Sequence, residues 1–130
     1  MKAVTGEASR TRLGKLAEEA AARWLEAQGF RVLARNHRAR RGEVDLVCEE
    51  AGTLCFVEVR SRSRLDFGGP QESVTVRKAR RVVDAATDWA IRNDGTERAT
   101  RFDVVAVDLS EAEPRFELFR GAFDATGHPM

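Results

Sequence analysis

Gly42-Glu43-Val44-Asp45-Leu46-Val47-Cys48-Glu49, then Glu50-Ala51-Gly52-Thr53, then Leu54-Cys55-Phe56-Val57-Glu58-Val59-Arg60 is the stretch whose reading decides the fold. Two runs of alternating character flank a four-residue break that contains glycine, which predicts a β-hairpin. Side chains alternate faces along a strand. Glu43, Asp45 and Val47 are therefore expected on one face and Val44, Leu46 and Cys48 on the other. On the second strand Leu54, Phe56, Glu58 and Arg60 share a face, and Cys55, Val57 and Val59 share the opposite one. With the turn centred on Ala51-Gly52, opposed residues have numbers that total 103. Asp45 then faces Glu58, with Cβ atoms ~4.5–5.5 Å apart. Two carboxylates that close repel unless positive charge stands between them. A divalent cation would supply it. So would arginines on an ordinary solvated sheet face, and spacing alone leaves both readings open.

Outward from the hairpin, the pattern on the N-terminal side is helical. Leu13, Leu16, Ala17, Ala20, Ala21, Trp24 and Leu25 recur at helical spacing between about Ser9 and Gln28, and Gly29 stops the run. Phe30–Ala34 reads as a short strand and Arg35–Arg41 as a basic connection. Beyond the hairpin, 60–71 is polar, contains Gly68-Gly69-Pro70 and reads as a loop. Ser73 is placed to cap a helix over Val74–Arg92, with Ala79, Val82, Val83, Ala86, Trp89 and Ala90 as its apolar face. Phe102–Leu109 and Arg115–Phe119 read as strands. Residues 121–130 read as a loose tail, apart from any anchoring by Phe123. The expected order is α-β-β-β-α-β-β in a single α/β domain, which suits 130 residues.

The formal net charge is only +1, from 22 basic and 21 acidic side chains. Its distribution is uneven. Residues 1–41 carry 10 basic and 4 acidic groups, 42–59 carry 5 acidic groups and no basic one, and 60–81 carry 7 basic and 2 acidic groups. Residues 82–130 carry 5 basic and 10 acidic groups. Two basic blocks thus flank the hairpin's acidic one. Only Lys2, Lys15 and Lys78 are lysines; the other cations are arginines, whose planar fork suits phosphate. Arg35, Arg38, Arg40 and Arg41 on one side, and Arg60, Arg62 and Arg64 on the other, can form a basic rim for a phosphate backbone. Lys78, near the start of the second helix, is a further candidate contact. Exposed arginines paired with the acidic C-terminal half are the blander account.

Other classes are excluded. No apolar run approaches the ~18 residues of a membrane span. No hydrophobic segment follows the start, so no signal peptide is read and a cytoplasmic protein without membrane attachment is expected. There is no P-loop, no dinucleotide-binding glycine motif, no C-x-x-C and no H-E-x-x-H. His37 and His128 are too few and too far apart for a zinc motif. Cys48 and Cys55 also total 103, and are expected as two buried thiols rather than a disulfide.

The chemistry follows from the carboxylate pair. Mg²⁺ takes oxygen ligands and is commonly held by one or two carboxylates plus waters and substrate phosphate. Arg60, two residues past Glu58 on the same face, can hold a phosphate oxygen or developing negative charge. Glu18 lies at the edge of the first helix's apolar stripe and can reach a site on the sheet. Phe67 and Asp103 are given no catalytic role.

Gly14-x-x-Ala17-Glu18-x-x-Ala21, Gly29-Phe30, Asn36, Gly42-Glu43-Val44-Asp45-Leu46-Val47, Phe56-Val57-Glu58-Val59-Arg60-x-Arg62, Val74-x-x-x-Lys78 and Arg101-Phe102-Asp103-Val104-Val105 together resemble the YraN family of bacterial proteins. The resemblance runs from about Gly14 to Phe123. It implies a restriction-endonuclease-like (PD-(D/E)xK) fold, a central mixed sheet flanked by helices, distantly similar to archaeal Holliday-junction resolvases. It implies Asp45 and Glu58 as the motif's acidic residues, with Glu18 as the helix glutamate directed to the metal. It also implies the Val59 carbonyl as a further ligand of Mg²⁺ or Mn²⁺. Arg60 stands where the motif has lysine, and arginine cannot act as a general base. Ala17 stands where the family usually has glycine. Resolvase relatives are dimers, so a homodimer is an assembly that the resemblance admits, and the sequence does not fix the oligomeric state. Three readings follow: a metal-dependent endonuclease on DNA or a structured nucleic acid, a binding module on that fold with little cleavage, or a protein-interaction domain.

Overall fold

The computed structural model describes residues 6–62 and 74–130, with side chains described from Arg12 to Ser61 and from Val74 onward. Arg64, Phe67 and Ser73 lie outside the described residues, as does the Arg62 side chain. The elements are α1 (Gly6–Ala27), β1 (Arg31–Ala39), β2 (Gly42–Glu50), β3 (Thr53–Arg62), α2 (Val76–Arg92), β4 (Thr100–Asp108) and β5 (Arg115–Phe123). The five strands form one sheet in the order β1-β2-β3-β4-β5. β3 and β4 are parallel, joined by a crossover through α2, and the other neighbours are antiparallel. This mixed sheet with two helices is the expected α-β-β-β-α-β-β architecture and is consistent with a restriction-endonuclease-like fold.

The hairpin register is the expected one. Leu46 pairs with Val57, Val47 with Phe56, Cys48 with Cys55, Glu49 with Leu54 and Glu50 with Thr53. The turn is tight because Ala51 and Gly52 both adopt left-handed backbone, at φ 49° and 85°. Both cysteines are buried free thiols.

The sheet's two faces are both covered. Against α2 pack Val47, Leu54, Phe56, Phe102, Val104 and Phe123, with Val82, Ala86 and Trp89 from the helix. Trp89 meets the edge of Phe56 at 6.0 Å, and Phe56, Phe102 and Phe123 stack in succession. Against α1 pack Leu46, Cys48, Cys55, Val57, Val59, Val105 and Val107, with Ala17, Ala21, Ala22 and Leu25. Burial of such side chains stabilises by about 1.5–3 kcal/mol each. Val44 departs from strict alternation and joins Val47 on the α2 side. Leu13 and Leu16, read as part of the buried stripe of α1, are half exposed; alanines and Leu25 make the contact instead.

Three boundaries differ from the sequence reading. The basic connection 35–41 is mostly strand, because β1 continues to Ala39 and turns through Arg40-Arg41 alone. An edge strand tolerates arginines on its solvent side. The cap of α2 is Thr75, whose Oγ1 accepts the Lys78 N–H at 3.2 Å. Val74 before it is buried with Ala79 in the arrangement of a hydrophobic staple. The loose tail is the third correction. β5 continues to Phe123, 4% exposed, helped by a left-handed Gly121 at an irregularity in the β4–β5 ladder. The chain then turns at Asp124 and returns, with Pro129 bridging Phe123 and the Met130 N–H donating to the Ala122 carbonyl. Gly127 lies so close to Val76 and Arg80 of α2 that a Cβ would stand 2.9 Å from them.

Candidate functional site

Asp45 is the centre of the site. It sits mid-β2 and is 8% exposed. The β2–β3 ladder runs from the turn to Leu46–Val57, and the β1–β2 ladder passes from Arg35–Leu46 to His37–Val44. Asp45 falls in the gap of both. In place of a ladder bond, its Oδ2 accepts the Val59 backbone N–H at 2.8 Å. The N–H and C=O of one strand residue face the same edge. The Val59 carbonyl is therefore turned to the side of β3 on which Asp45 lies.

Glu58 lies one residue past the last ladder pair on β3, as Asp45 does on β2, and the two carboxyls interact. Glu18 approaches the same point from α1, close enough for Asp45 and Asn36 to act on its carboxyl. Three carboxyls from three elements thus converge. Burial, reinforced by Asp45, pushes the Glu18 carboxyl up to about 7. Burial and the facing Glu58 push Asp45 up to about 7, against the pull of the Val59 N–H. Burial also pushes Glu58 up to about 7, although Arg60 pulls the other way. The Arg60 guanidinium is 3.9 Å from Glu58, at the limit of an ion pair. Near neutral pH the trio therefore retains protons that ordinary carboxylates lose.

A cleft of about 240 Å³ opens beside the pair, lined by Glu43, Asp45, Glu58, Arg60, Lys78, Arg81 and Val82. Its far wall is the first turns of α2. Gly42 holds that wall in place, since a Cβ there would stand 1.8 Å from the Arg81 carbonyl oxygen. Among the described residues no three His, Cys, Asp or Glu side chains are arranged as a chelating group. Larger clefts occur elsewhere, one between α1 and β5 and one between α2 and the β4–β5 end, and their walls are mainly apolar.

The structure therefore brings together Glu18, Asp45, Glu58, Val59, Arg60 and Lys78. It spreads the rim arginines more widely. Arg38 pairs with Glu43 at 3.0 Å, while Arg35, Arg40 and Arg41 are exposed along β1 and its turn. Two contributors were missed. Arg81, which helical spacing puts one turn beyond Lys78, lines the same cleft wall. Asn36 carried no role, because its residue type alone does not reveal its backbone conformation.

Comparison with known proteins agrees with the residue pattern. The model of the Uncharacterised protein family UPF0102 matches residues 17–107. The chain belongs to the UPF0102 family. A UPF0102 protein of Anaeromyxobacter sp. strain Fw109-5 is 58% identical over 95% of this chain and 94% of its own length. Another, from Anaeromyxobacter dehalogenans strain 2CP-C, is 58% identical over 92% of this chain and 90% of its own. A third, from Myxococcus xanthus strain DK1622, is 46% identical over 91% of the chain and 94% of its own length. The UPF0102 match spans Glu18 fully through α2 and nearly all of β4, and so includes every residue of the carboxyl centre. No helix among the described residues is long and apolar enough to cross a membrane.

Proposed function

We propose that this UPF0102 chain is a metal-dependent endonuclease of the restriction-endonuclease-like superfamily, distantly similar to archaeal Holliday-junction resolvases. It would hydrolyse phosphodiesters in DNA or a structured nucleic acid. The observation that carries the reading is the convergence of Glu18, Asp45 and Glu58, all pushed up to about 7, beside a cleft walled by cations. The donor set suits Mg²⁺ or Mn²⁺: all oxygen, crowded, and kept from full ionisation chiefly by burial. Mg²⁺ needs only one or two carboxylates, so the lack of a three-residue chelate is no obstacle. Asp45, Glu58 and the Val59 carbonyl would hold the ion, with Glu18 assisting. When bound, the ion supplies Lewis acidity at phosphorus and lowers the pKa of water in the site.

The chain's own groups do the rest. On binding the ion, Asp45 and Glu58 would release the protons that burial keeps on them. Arg60 holds a non-bridging oxygen, where its fixed charge stabilises the crowded phosphorus. Lys78 and Arg81 face the carboxyls across the cleft and take a neighbouring phosphate. Arg35, Arg38, Arg40, Arg41, Arg62 and Arg64 serve as the outer backbone contacts. Under this reading the protein works in the cytoplasm as a homodimer, and light scattering reports the assembly.

The test is incubation with linear, branched and single-stranded DNA in Mg²⁺ or Mn²⁺, beside an Asp45→Asn variant. Cleavage should require the metal and fall at least 100-fold in the variant. Cleavage that survives the substitution would sink the proposal. Arg60 favours a second reading, binding with little turnover, since it cannot take a proton. Salt-sensitive DNA binding without cleavage would select it.

A further inference from the structure

The helix α1 buries one face against the sheet and leaves a second apolar stripe toward solvent. Leu13 and Leu16 are 49% and 50% exposed. Ala20, Trp24 and Ala27 continue the stripe at spacings of three and four residues. Beside it lies a cleft of about 540 Å³ between α1 and β5, with Leu16, Ala20, Trp24, Pro114 and Phe116 in its walls. Trp24 stacks on Phe116 at 5.1 Å, so the two rings form one wall. The only cation among the described lining residues is Arg23, and Glu19 neutralises it at 3.0 Å. This cleft offers little to a phosphate backbone, in contrast with the one at Asp45, where Arg60, Lys78 and Arg81 meet. A contiguous apolar surface with a charged border is suited to another protein surface.

We propose that this surface takes a second copy of the chain, with the two α1 helices antiparallel about a two-fold axis at Ala20. A two-fold interface has to be complementary to itself. The stripe meets that condition. With the axis at Ala20, Leu16 comes level with Trp24 of the second copy, and Leu13 with Ala27 of the second copy. Large side chains then meet on either side of a small centre. Ala20 stands at the crossing, where helix axes about 8–10 Å apart leave least room. The charges agree as well. Glu19 and Arg23 lie on one flank of the stripe, and a two-fold axis brings that flank of each helix together. Glu19 of each copy then has Arg23 of the other within reach, and the border carries no net charge. The inference rests on the homodimer of the reading above and gives it a surface; it draws nothing from the carboxyl chemistry.

Analytical ultracentrifugation of the full chain over a range of concentrations measures the dimer. Wild type should self-associate to a dimer and no further, because a two-fold contact closes. Leu16→Asp should weaken that dimer about 100-fold, as expected for a residue at the centre of a contact. Its helical circular dichroism should be unchanged, since Leu16 is half exposed within the subunit. Ala20→Cys tests the axis itself: the two introduced thiols face each other across it, and mild oxidation should link the copies. Asp84→Cys, exposed on α2 across the sheet, should not link. If Leu16→Asp loses its helical signal, Ala20→Cys decides. A chain that is monomeric at every concentration overturns the surface and the homodimer together, and leaves the cleavage test standing. A dimer that folded Leu16→Asp does not weaken, or one that Ala20→Cys fails to link, overturns the surface alone.

Discussion

The β2–β3 hairpin has an acidic group at each end, and the two are treated in opposite ways. Near the turn, Glu50 accepts from Arg101 at 2.7 Å and from Arg120 at 2.7 and 2.9 Å. Glu49 pairs with Arg98, which also donates to the Gly52 carbonyl. Asp103, fully buried, takes two bonds from Arg101 and the Gly121 N–H. The Arg120 and Arg101 guanidiniums hold Glu50 down to about 2. At the other end Glu18, Asp45 and Glu58 face one another, and each is pushed up to about 7. The same strands and the same side-chain types produce both outcomes. In a chain with so many arginines, close neutralisation is available, and it is used at the turn. Among the described residues, the carboxyl centre has the Val59 N–H at 2.8 Å and the Arg60 guanidinium at 3.9 Å, with no bidentate arginine of the kind that holds Glu50.

The largest way to break this contrast is at the turn. Arg101→Met should leave the Asp103 carboxylate buried without its guanidinium, and cost about 3–5 kcal/mol in urea unfolding. An effect below 1 kcal/mol would mean that Asp103 is not held as an ion there. Gly42→Ala comes next. Its methyl would collide with the Arg81 carbonyl, and a loss of about 1–3 kcal/mol is expected together with weaker DNA or metal binding. A stable variant with unchanged cleft function would show that α2 can move away freely.

The pH response sharpens the comparison further. Glu50 has a folded pKa below its unfolded value, so its contribution is present above pH ~4.5 and is lost as pH falls toward 2. The trio is raised instead. Its members favour the folded state most below their unfolded values, and that advantage is lost as pH rises from about 4 through 7. Metal-free protein should therefore lose melting temperature between pH 5 and 8, and Mg²⁺ should restore it. Asp45→Asn should flatten the metal-free slope and stabilise by ~1 kcal/mol at pH 8. A flat wild-type profile would show that the three carboxyls are not raised. The smallest effect belongs to Arg60→Lys, which should change stability by less than ~1 kcal/mol but raise any cleavage rate.

Much of this contrast was legible before folding. The hairpin register followed from alternation and one glycine, and it placed Asp45 against Glu58. The helix edge placed Glu18. Other features depend on the whole chain. Glu49 and Glu50 meet arginines about 50 to 70 residues away, and no local pattern selects Arg101 or Arg120 from so many guanidiniums. The length of β1 was hidden because an edge strand with exposed arginines lacks apolar alternation. The docking of 121–130 was hidden because it rests on Gly127 fitting against Val76 and Arg80 of a helix distant in the sequence.

The return of the chain at Asp124 has a consequence for how the protein keeps to itself in crowded solution. β5 is the sheet's outer strand, and such a border invites another molecule's backbone to lie alongside it. Residues 129 and 130 already occupy the end of that border. The residue that bridges there is Pro129, which has no N–H to pass the pattern on to a newcomer. The polypeptide thus closes part of its own seam with a residue that cannot propagate it, and removing the last few residues should turn a quiet border into a sticky one.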